Sequence, residues 1–167
     1  MPNTVVANPV SSCANGSVRS VLTAVSFPAP RLEQACSDPQ FIALLEGYRG
    51  SGGLARGSEV FALAQRGQPG QVQLLANWIV NAAVICFDWQ AKMWLPLFQF
   101  NSFDMTPQPG LDQVLAALRP AYETWELAQW FVQANPRLAG QTPADTLQTD
   151  LAAVLLAARA DPRVVRH

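Results

Sequence analysis

The sequence predicts a mostly α-helical protein in which a helix-turn-helix-like unit with a short, wing-like β-hairpin precedes a small helical bundle domain. Three observations predict this fold class. Apolar residues recur at helical spacing in residues 41–48, 60–64 and 72–79. They then alternate with a period of two over residues 84–98, and they return to helical spacing after residue 110. The order helix, helix, turn, helix, hairpin is that of a winged helix-turn-helix.

The first two predicted helices have recognisable start and stop signals. Asp38 can act as an N-cap with Pro39 at the first helical position, and the Gly50–Gly53 stretch ends that helix. Ser58 can cap the second helix, which ends near Gly67. A proline–glycine turn then precedes the third helix.

The period-two segment predicts a β-hairpin with its turn at Gln90–Ala91. Residues 84–89 form the first alternating run and residues 93–98 the second. Because Pro96 has no amide proton, its strand should lie at the edge of a sheet or end early.

Two more helices are predicted at the start of the last segment. Pro109 can open a helix that Pro120 ends or kinks. The next helix runs from about Tyr122 to Ala134, and Asn135–Pro136 stops it because the residue before proline avoids the α region.

The end of the segment carries two further helix starts. Thr142 is a predicted N-cap with Pro143 after it and Asp145 three residues on, a capping-box spacing. Thr149 or Asp150 caps the last predicted helix. Every helix end in this segment thus has a named signal.

These patterns divide the chain into three predicted segments. Prolines with Ser, Asn and Gly predict a flexible N-terminal segment at residues 1–38. Residues 39–100 form the helix-turn-helix-like unit with its hairpin, and residues 101–167 the helical domain.

Composition predicts a cytoplasmic protein without a membrane span. Cys13, Cys36 and Cys86 are far apart and show no C-x-x-C spacing, which favours a reducing compartment. No apolar run approaches the ~20 residues that cross a bilayer, and Val18–Val25 is too short for a signal sequence. The net charge of −1 provides no global attraction to nucleic acid or anionic membrane.

The search for catalytic groups predicts no enzyme site, no metal and no cofactor. The one histidine, His167, is the last residue, so a Ser-His or Cys-His pair lacks a well-placed base. Zinc-ligand spacing is absent, and the Gly50–Gly53 cluster lacks the lysine of a phosphate-binding loop. Glu123 and Glu126 share a helical face, and a solvated face is a better interpretation than a catalytic carboxylate pair.

The third predicted helix carries side chains of base-reading types. Gln71, Gln73 and Asn77 could contact base edges, and Lys92 near the hairpin tip could meet phosphate. However, residues 71–81 contain no Arg or Lys, and affinity for DNA depends largely on phosphate neutralisation. The alternatives are a DNA-binding unit and a remnant of that fold used for packing or dimerisation.

The last segment contains the run Trp-Glu-Leu-Ala-Gln-Trp-Phe at residues 125–131 and the motif Asn-Pro-x-Leu-x-Gly-x-x-Pro at residues 135–143. Both resemble the toxin-binding domain of the Xre/MbcA/ParS antitoxins, over roughly residues 54–161. The motif residues, which the resemblance marks as structural, are Trp125, Trp130, Phe131, Asn135, Pro136, Leu138, Gly140 and Pro143. Two positions depart from the motif, since the family often has a bulky apolar residue at Arg137 and arginine at Gln141.

The resemblance implies a non-catalytic antitoxin-like protein whose partners are those of the family. In that family the small helical domain binds a RES-domain toxin, an NAD-consuming enzyme, and the helix-turn-helix part commonly binds operator DNA. Carried over by position, toxin contact would fall on Arg159, Asp161, Arg163 and Arg166, which could equally be solvated cations and an acid near a helix end. A homodimer is expected. The alternatives are a toxin-independent DNA-binding regulator and a degenerate oligomerisation module.

Overall fold

The computed structural model describes residues 36–67 and 69–166, so the flexible segment predicted for residues 1–38 lies almost wholly outside the described residues. Within these ranges the chain forms eight α-helices and a three-stranded antiparallel sheet, which confirms the mostly helical class. The elements in order are α1 (Asp38–Gly47), β1 (Leu54–Arg56), α2 (Gly57–Arg66), α3 (Gln71–Val80), β2 (Phe87–Trp89), β3 (Lys92–Pro96), α4 (Leu111–Leu118), α5 (Thr124–Val132), α6 (Pro143–Thr146), α7 (Leu151–Arg159) and α8 (Pro162–Val165).

The starts of α1 and α2 differ from the prediction. Ser37, not Asp38, is the N-cap of α1, and its N–H donates to Gln40 Oε1 at 2.8 Å. Ser58 lies inside α2, whose N-cap is Arg56, and the Arg56 N–H donates to the carboxylate three residues on at 2.9 Å. In both cases the side chain at the third helical position satisfies the cap backbone, a signal that outweighs the cap residue's own type.

The predicted hairpin is confirmed, and it belongs to a larger sheet. Gln90 and Ala91 both have positive φ, at 48° and 55°, as a two-residue hairpin turn of type I′ requires. The unpredicted strand β1 pairs with β3, so the sheet order is β1-β3-β2. Pro96 therefore does not lie in an edge strand. It ends the central strand β3, opposite Leu54, which is the early strand end that the sequence offered as the other possibility.

The sheet has a separate hydrophobic core on each face. The first core packs α1, α4, α5 and α7 with one face of the hairpin, which contributes Trp94. The second core packs α2 and α3 against the other face, which contributes Leu95. The two residues are neighbours on β3, and their side chains point to opposite faces because strand side chains alternate.

Two aromatic side chains, one in α1 and one at its C-cap, fix this helix in the first core. Phe41 stacks on Trp89 of the hairpin, with ring centroids 3.8 Å apart and planes within 4°. Tyr48, which is completely buried, donates its hydroxyl to the Ala128 carbonyl of α5 at 2.7 Å and stacks on Phe98 at 5.5 Å. Helix α1 thus belongs to a different core from α2 and α3.

The first core draws on both predicted ranges, 39–100 and 101–167. Phe98 and Phe131 lie on opposite sides of residue 100 in sequence, yet their ring centroids are 5.0 Å apart. A division at residue 100 would cut through this core, and the domain boundary stays a prediction. None of the helices in the described ranges has the length and apolar character that crossing a bilayer requires.

A buried glutamine ties the two sides of the hairpin together below its strands. Gln99 is completely buried, and its amide exchanges two hydrogen bonds with the backbone of Ile85. The Ile85 N–H donates to Gln99 Oε1 at 2.6 Å, and Gln99 Nε2 donates to the Ile85 carbonyl at 2.9 Å. The Gln99 side chain thus takes the place of a neighbouring strand, and it satisfies the buried N–H and C=O of Ile85.

We expect Gln99→Leu to lower the free energy of unfolding by about 2–4 kcal/mol, because it leaves a buried N–H and a buried C=O of Ile85 without partners. Urea unfolding followed by tryptophan fluorescence measures the loss. Gln113→Leu, an exposed position on α4, is the matched control and should change stability little. Equal stability of the two variants would contradict the bridging role.

Candidate protein-contact site

The motif between α5 and α6 forms a hydrogen-bonded turn centred on Asn135. The Asn135 side chain accepts from the Arg137 N–H at 2.9 Å. The Asn135 backbone carbonyl accepts from the N–H groups of Leu138, at 2.9 Å, and Gly140, at 3.0 Å. Its own N–H donates to the Gln141 carbonyl at 3.0 Å. Gly140 has φ +83°, a left-handed conformation that favours glycine. Helix α5 ends at Val132, two residues before the predicted end at Ala134.

The predicted helix starts that follow are confirmed. Thr142 Oγ1 accepts from the Asp145 N–H at 3.2 Å, and Pro143 occupies the first position of α6. Of the two candidate caps of α7, the structure uses Asp150, whose carboxylate accepts from the Ala153 N–H at 2.9 Å.

The apolar motif residues lie in or against the first core. Phe131 is completely buried, and Trp130 and Leu138 nearly so. Trp125 packs partly buried at its margin, and its indole N–H has no hydrogen-bond partner within the described residues. These residues shape the domain from inside, with little surface to offer a partner.

Asp161, between α7 and α8, is the acceptor for three donors of the same chain. Tyr122 donates its hydroxyl at 2.9 Å, Trp130 its indole N–H at 3.1 Å, and Arg163 its backbone N–H at 2.9 Å. The contact of Asp161 with a toxin stays a prediction, since what the structure shows is a role for this carboxylate within the chain. Both of its carboxylate oxygens are already engaged, and they join α8 to the loop before α5 and to α5 itself.

Arg163 is held by the same region of the chain. Its guanidinium donates to both oxygens of Glu126 on α5, at 3.0 and 3.2 Å, and lies 4.2 Å from the centroid of the Tyr122 ring. Burial raises the pKa of Glu126, but hydrogen bonds from Arg163 and from the Glu123 N–H outweigh this effect and lower it. Glu126 is thus the ion-pair partner of Arg163.

We name this arrangement the C-terminal clip. It joins α8 to α5 through hydrogen bonds, an ion pair and a cation–π contact. Its members are Tyr122, Glu126, Trp130, Asp161 and Arg163.

The last two helices also expose several side chains that the clip does not engage, and four of them are large. Leu156 on α7 is 65% exposed, and Val165 on α8 is 70% exposed. Arg159 and Arg166, at the ends of the same helices, are also exposed. We call these four residues the C-terminal face. It combines two apolar side chains with two cations.

The predicted DNA-contact residues do not form one surface. Gln71 is buried, and its Nε2 donates to the Asp104 carbonyl. Its contact with base edges stays a prediction. Gln73 and Asn77 are exposed on α3 and bonded to each other at 3.3 Å. Lys92 lies instead with Arg56 in a cleft of about 400 Å³ beside the start of α2.

Nucleophile and metal chemistry have little support in the described part of the chain. No group of three or more His, Cys, Asp or Glu side chains there could hold a metal ion. Burial, with a smaller effect of Asp88, raises the pKa of Cys86 to about 11, which disfavours a reactive thiolate. His167 and Cys13 lie outside the described residues.

Sequence reasoning missed Tyr122 and Glu126 as members of the site. They lie 39 and 37 residues before their partners Asp161 and Arg163. No short-range spacing signals such a pairing, since helical patterns report only neighbours three and four residues apart.

We expect Asp161→Ala to lower the free energy of unfolding by about 2–3 kcal/mol, because three donors lose a charged acceptor. Asp161→Asn, which keeps one acceptor oxygen, should lose less. Chemical denaturation checks both, with Asp88→Ala, an exposed carboxylate on β2, as the control. A loss no larger than that of the control would rule out the clip as a stabilising element.

We expect neither of the chain's two tyrosines to ionise near the ordinary value of about 10 while the protein is folded. Burial raises the pKa of Tyr48 well above that value, and burial with the Asp161 hydrogen bond raises the pKa of Tyr122 to about 12. Because the unfolded chain releases these protons first, stability should fall as the pH rises from about 10 towards 12.

Ultraviolet absorbance titration checks the alkaline prediction, with circular dichroism to monitor the fold. Tyr122→Phe removes one of the two raised pKa values and should weaken the loss of stability above pH 10. Tyrosinate absorbance near pH 10 in the folded protein would contradict it.

Comparison with known proteins gives no match to this chain among family models, curated proteins or solved structures.

Proposed function

We propose that this chain is a non-catalytic, antitoxin-like protein that binds a RES-type toxin through the C-terminal face. The resemblance of residues 125–143 to the Xre/MbcA/ParS domain suggests this class of partner. The observation that carries the proposal is the C-terminal clip, which fixes α8 against α5 while Leu156, Arg159, Val165 and Arg166 stay exposed.

The fixed position of α8 favours binding. A surface that is ordered before contact pays less conformational entropy on association than a frayed terminus. The clip holds α8 through contacts of Asp161 and Arg163. The backbone that carries the exposed side chains of α8 is therefore already ordered before a partner binds.

The side chains of the C-terminal face suggest the kind of partner surface that it binds. Arginine and apolar side chains are typical of interfaces, and Arg159 and Arg166 would pair with carboxylates. Arg163 is already paired with Glu126, and Asp161 accepts from three donors of the same chain. The two remaining arginines therefore give this end a positive character that fits an acidic, partly apolar surface on the partner.

The proposal also includes a cytoplasmic location and a homodimer. The widely spaced cysteines support a reducing compartment. The exposed apolar side chains outside the C-terminal face leave a second surface available for contact between copies.

A DNA-binding regulator is the second candidate. The exposed Gln73 and Asn77 on α3 favour it, together with Arg56 and Lys92 at the cleft beside α2. The two cations are not on α3, so phosphate neutralisation near the amides would be weak.

We expect the double variant Arg159→Glu/Arg166→Glu to bind a RES-domain protein at least roughly tenfold more weakly than the unchanged chain, or about 1.4 kcal/mol. Charge reversal repels the acidic partner surface without touching the clip. Co-purification of the full chain with a RES-domain protein encoded beside its gene measures binding, and NAD consumption by that protein measures inhibition.

Arg137→Glu is the matched control, because Arg137 is an exposed arginine in the turn before α6. It should bind and inhibit like the unchanged chain. Equal loss in the control, or no loss in the double variant, would contradict the C-terminal face. Failure of the unchanged chain to bind any neighbouring RES-domain protein would refute the antitoxin-like function itself.

A further inference from the structure

Helix α1 has an exposed apolar side that the described part of the chain leaves uncovered. Ile42 is 55% exposed and Leu45 is 39% exposed, although large apolar side chains are usually buried. Both residues line a groove of about 590 Å³ that continues over the glycine turn after α1 to Leu54 of β1. We name it the α1 groove. Its apolar side chains therefore form one continuous surface.

The α1 groove follows one stripe of the helix and the turn after it. Its lining residues Ile42, Leu45, Glu46 and Arg49 are spaced i, i+3, i+4 and i+7, so they lie on one side. The glycine turn adds no side chain, and a Cβ built at Gly53 would meet nothing within 4 Å. The groove is thus open, apolar along α1, and charged towards the C-terminal end of this helix.

The chain that precedes α1 carries a matching stripe. Residues 18–27 place four aliphatic side chains at the same spacing i, i+3, i+4 and i+7, which predicts a short amphipathic helix. These side chains are Val18, Val21, Leu22 and Val25. A Pro-Ala-Pro sequence at residues 28–30 ends this pattern. Because so short a helix is marginal alone in water, it needs an apolar surface on which to bury its stripe.

We propose that residues 18–27 of the same chain occupy the α1 groove as a helix antiparallel to α1. Ten helical residues rise about 15 Å, so the two helices have the same length. With residues 28–37 as the turn, Phe27 lies beside Asp38. Arg19, eight residues before Phe27, then lies beside Glu46, eight residues after Asp38.

This antiparallel arrangement matches the groove in both apolar and charged groups. The aliphatic stripe of residues 18–25 covers Ile42 and Leu45, which the described part of the chain leaves exposed. Arg19 is the one charged residue within residues 18–27, and it meets the one carboxylate that lines the groove, that of Glu46. Opposite charges at one level favour this register over a shifted one.

The short connection favours the segment of the same chain over that of a second copy. Residues 28–35 extend to at most about 26–29 Å, which exceeds the length of α1, so the segment can fold back along the helix. A short tether keeps its ends at an effective concentration of about millimolar. A second copy would reach that concentration only in a millimolar solution of the protein.

This docking goes beyond the proposed function and requires no toxin. The α1 groove lies on α1 and the turn after it, whereas the C-terminal face lies on α7 and α8. It replaces, for residues 18–27 alone, the flexibility that their composition predicts.

We expect hydrogen–deuterium exchange of the full chain to show the amides of residues 18–27 at least roughly tenfold slower than in the urea-unfolded chain. Ile42→Glu/Leu45→Glu should remove this protection, because glutamates give the aliphatic stripe no apolar surface. Both positions are exposed, so circular dichroism should show an unchanged fold. Val21→Glu/Leu22→Glu, in the segment itself, should remove the protection without altering any described helix.

Leu63→Glu/Leu156→Glu is the matched control, since it places the same charges on exposed leucines of α2 and α7 and should leave the protection unchanged. Charge exchange tests the register. Glu46→Arg should lower the protection, because Arg19 and Arg49 then face a third cation, and Arg19→Glu added to it should restore the protection.

Three results would overturn the docking. One is exchange of residues 18–27 at the rate of the unfolded chain, and another is protection that survives both glutamate pairs. The third is protection that disappears when the protein is diluted, because a second copy would then supply the segment. Binding of a RES-domain protein is measured separately, and its absence would contradict the antitoxin-like role without affecting the α1 groove.

Discussion

Burial of the small sheet on both faces is the constraint on which the rest of the structure depends. The central strand β3 sends Trp94 into the first core and Leu95 into the second, so the same five residues organise two sets of helices. A strand covered on both faces cannot slip by one residue without reversing which core each side chain enters. The turn at Gln90–Ala91 and the Gln99 bridge to Ile85 fix its register from both ends.

The sequence predicted local structure well where one residue type has one physical role. The helix stops and starts at Asn135, Thr142 and Asp150 follow from capping and from proline geometry, and the structure uses all three. The predicted starts of α1 and α2 were wrong because the side chain that bonds the N-cap backbone comes from inside the helix. At α2 the carboxylate of Glu59 bonds the Arg56 backbone, although arginine is not a typical cap residue.

The arrangement of elements was harder to predict because it depends on distant contacts. Strand β1 is three residues long, too short for a periodic signal, and it forms because β3 provides a partner. The helical pattern of α1 could not show that Phe41 would stack on Trp89, 48 residues later in the chain (89 − 41 = 48), in a core apart from α2. At the candidate site the same limit hid Tyr122 and Glu126, so Asp161 and Arg163 resembled contact residues.

The charged residues of the clip contribute mainly to the structure of this end of the chain. A surface ion pair such as that of Arg163 with Glu126 contributes only about 0–1 kcal/mol by itself, since solvent screens it and both side chains lose freedom. Asp161 adds acceptors for a tyrosine hydroxyl and an indole, whose positions the first core already fixes. Two of the four predicted contact residues, Asp161 and Arg163, thus also hold this end of the chain together.

The distribution of charge around α3 weakens the DNA-binding alternative. Affinity for DNA depends largely on phosphate neutralisation, and residues 71–80 contain no Lys or Arg. The guanidinium of Arg119 reaches the end of this helix, but it donates to the Ala82 carbonyl. Arg56 and Lys92 line a cleft beside the start of α2 instead. The exposed amides of Gln73 and Asn77 bond each other, so they add little that a phosphate backbone could bind.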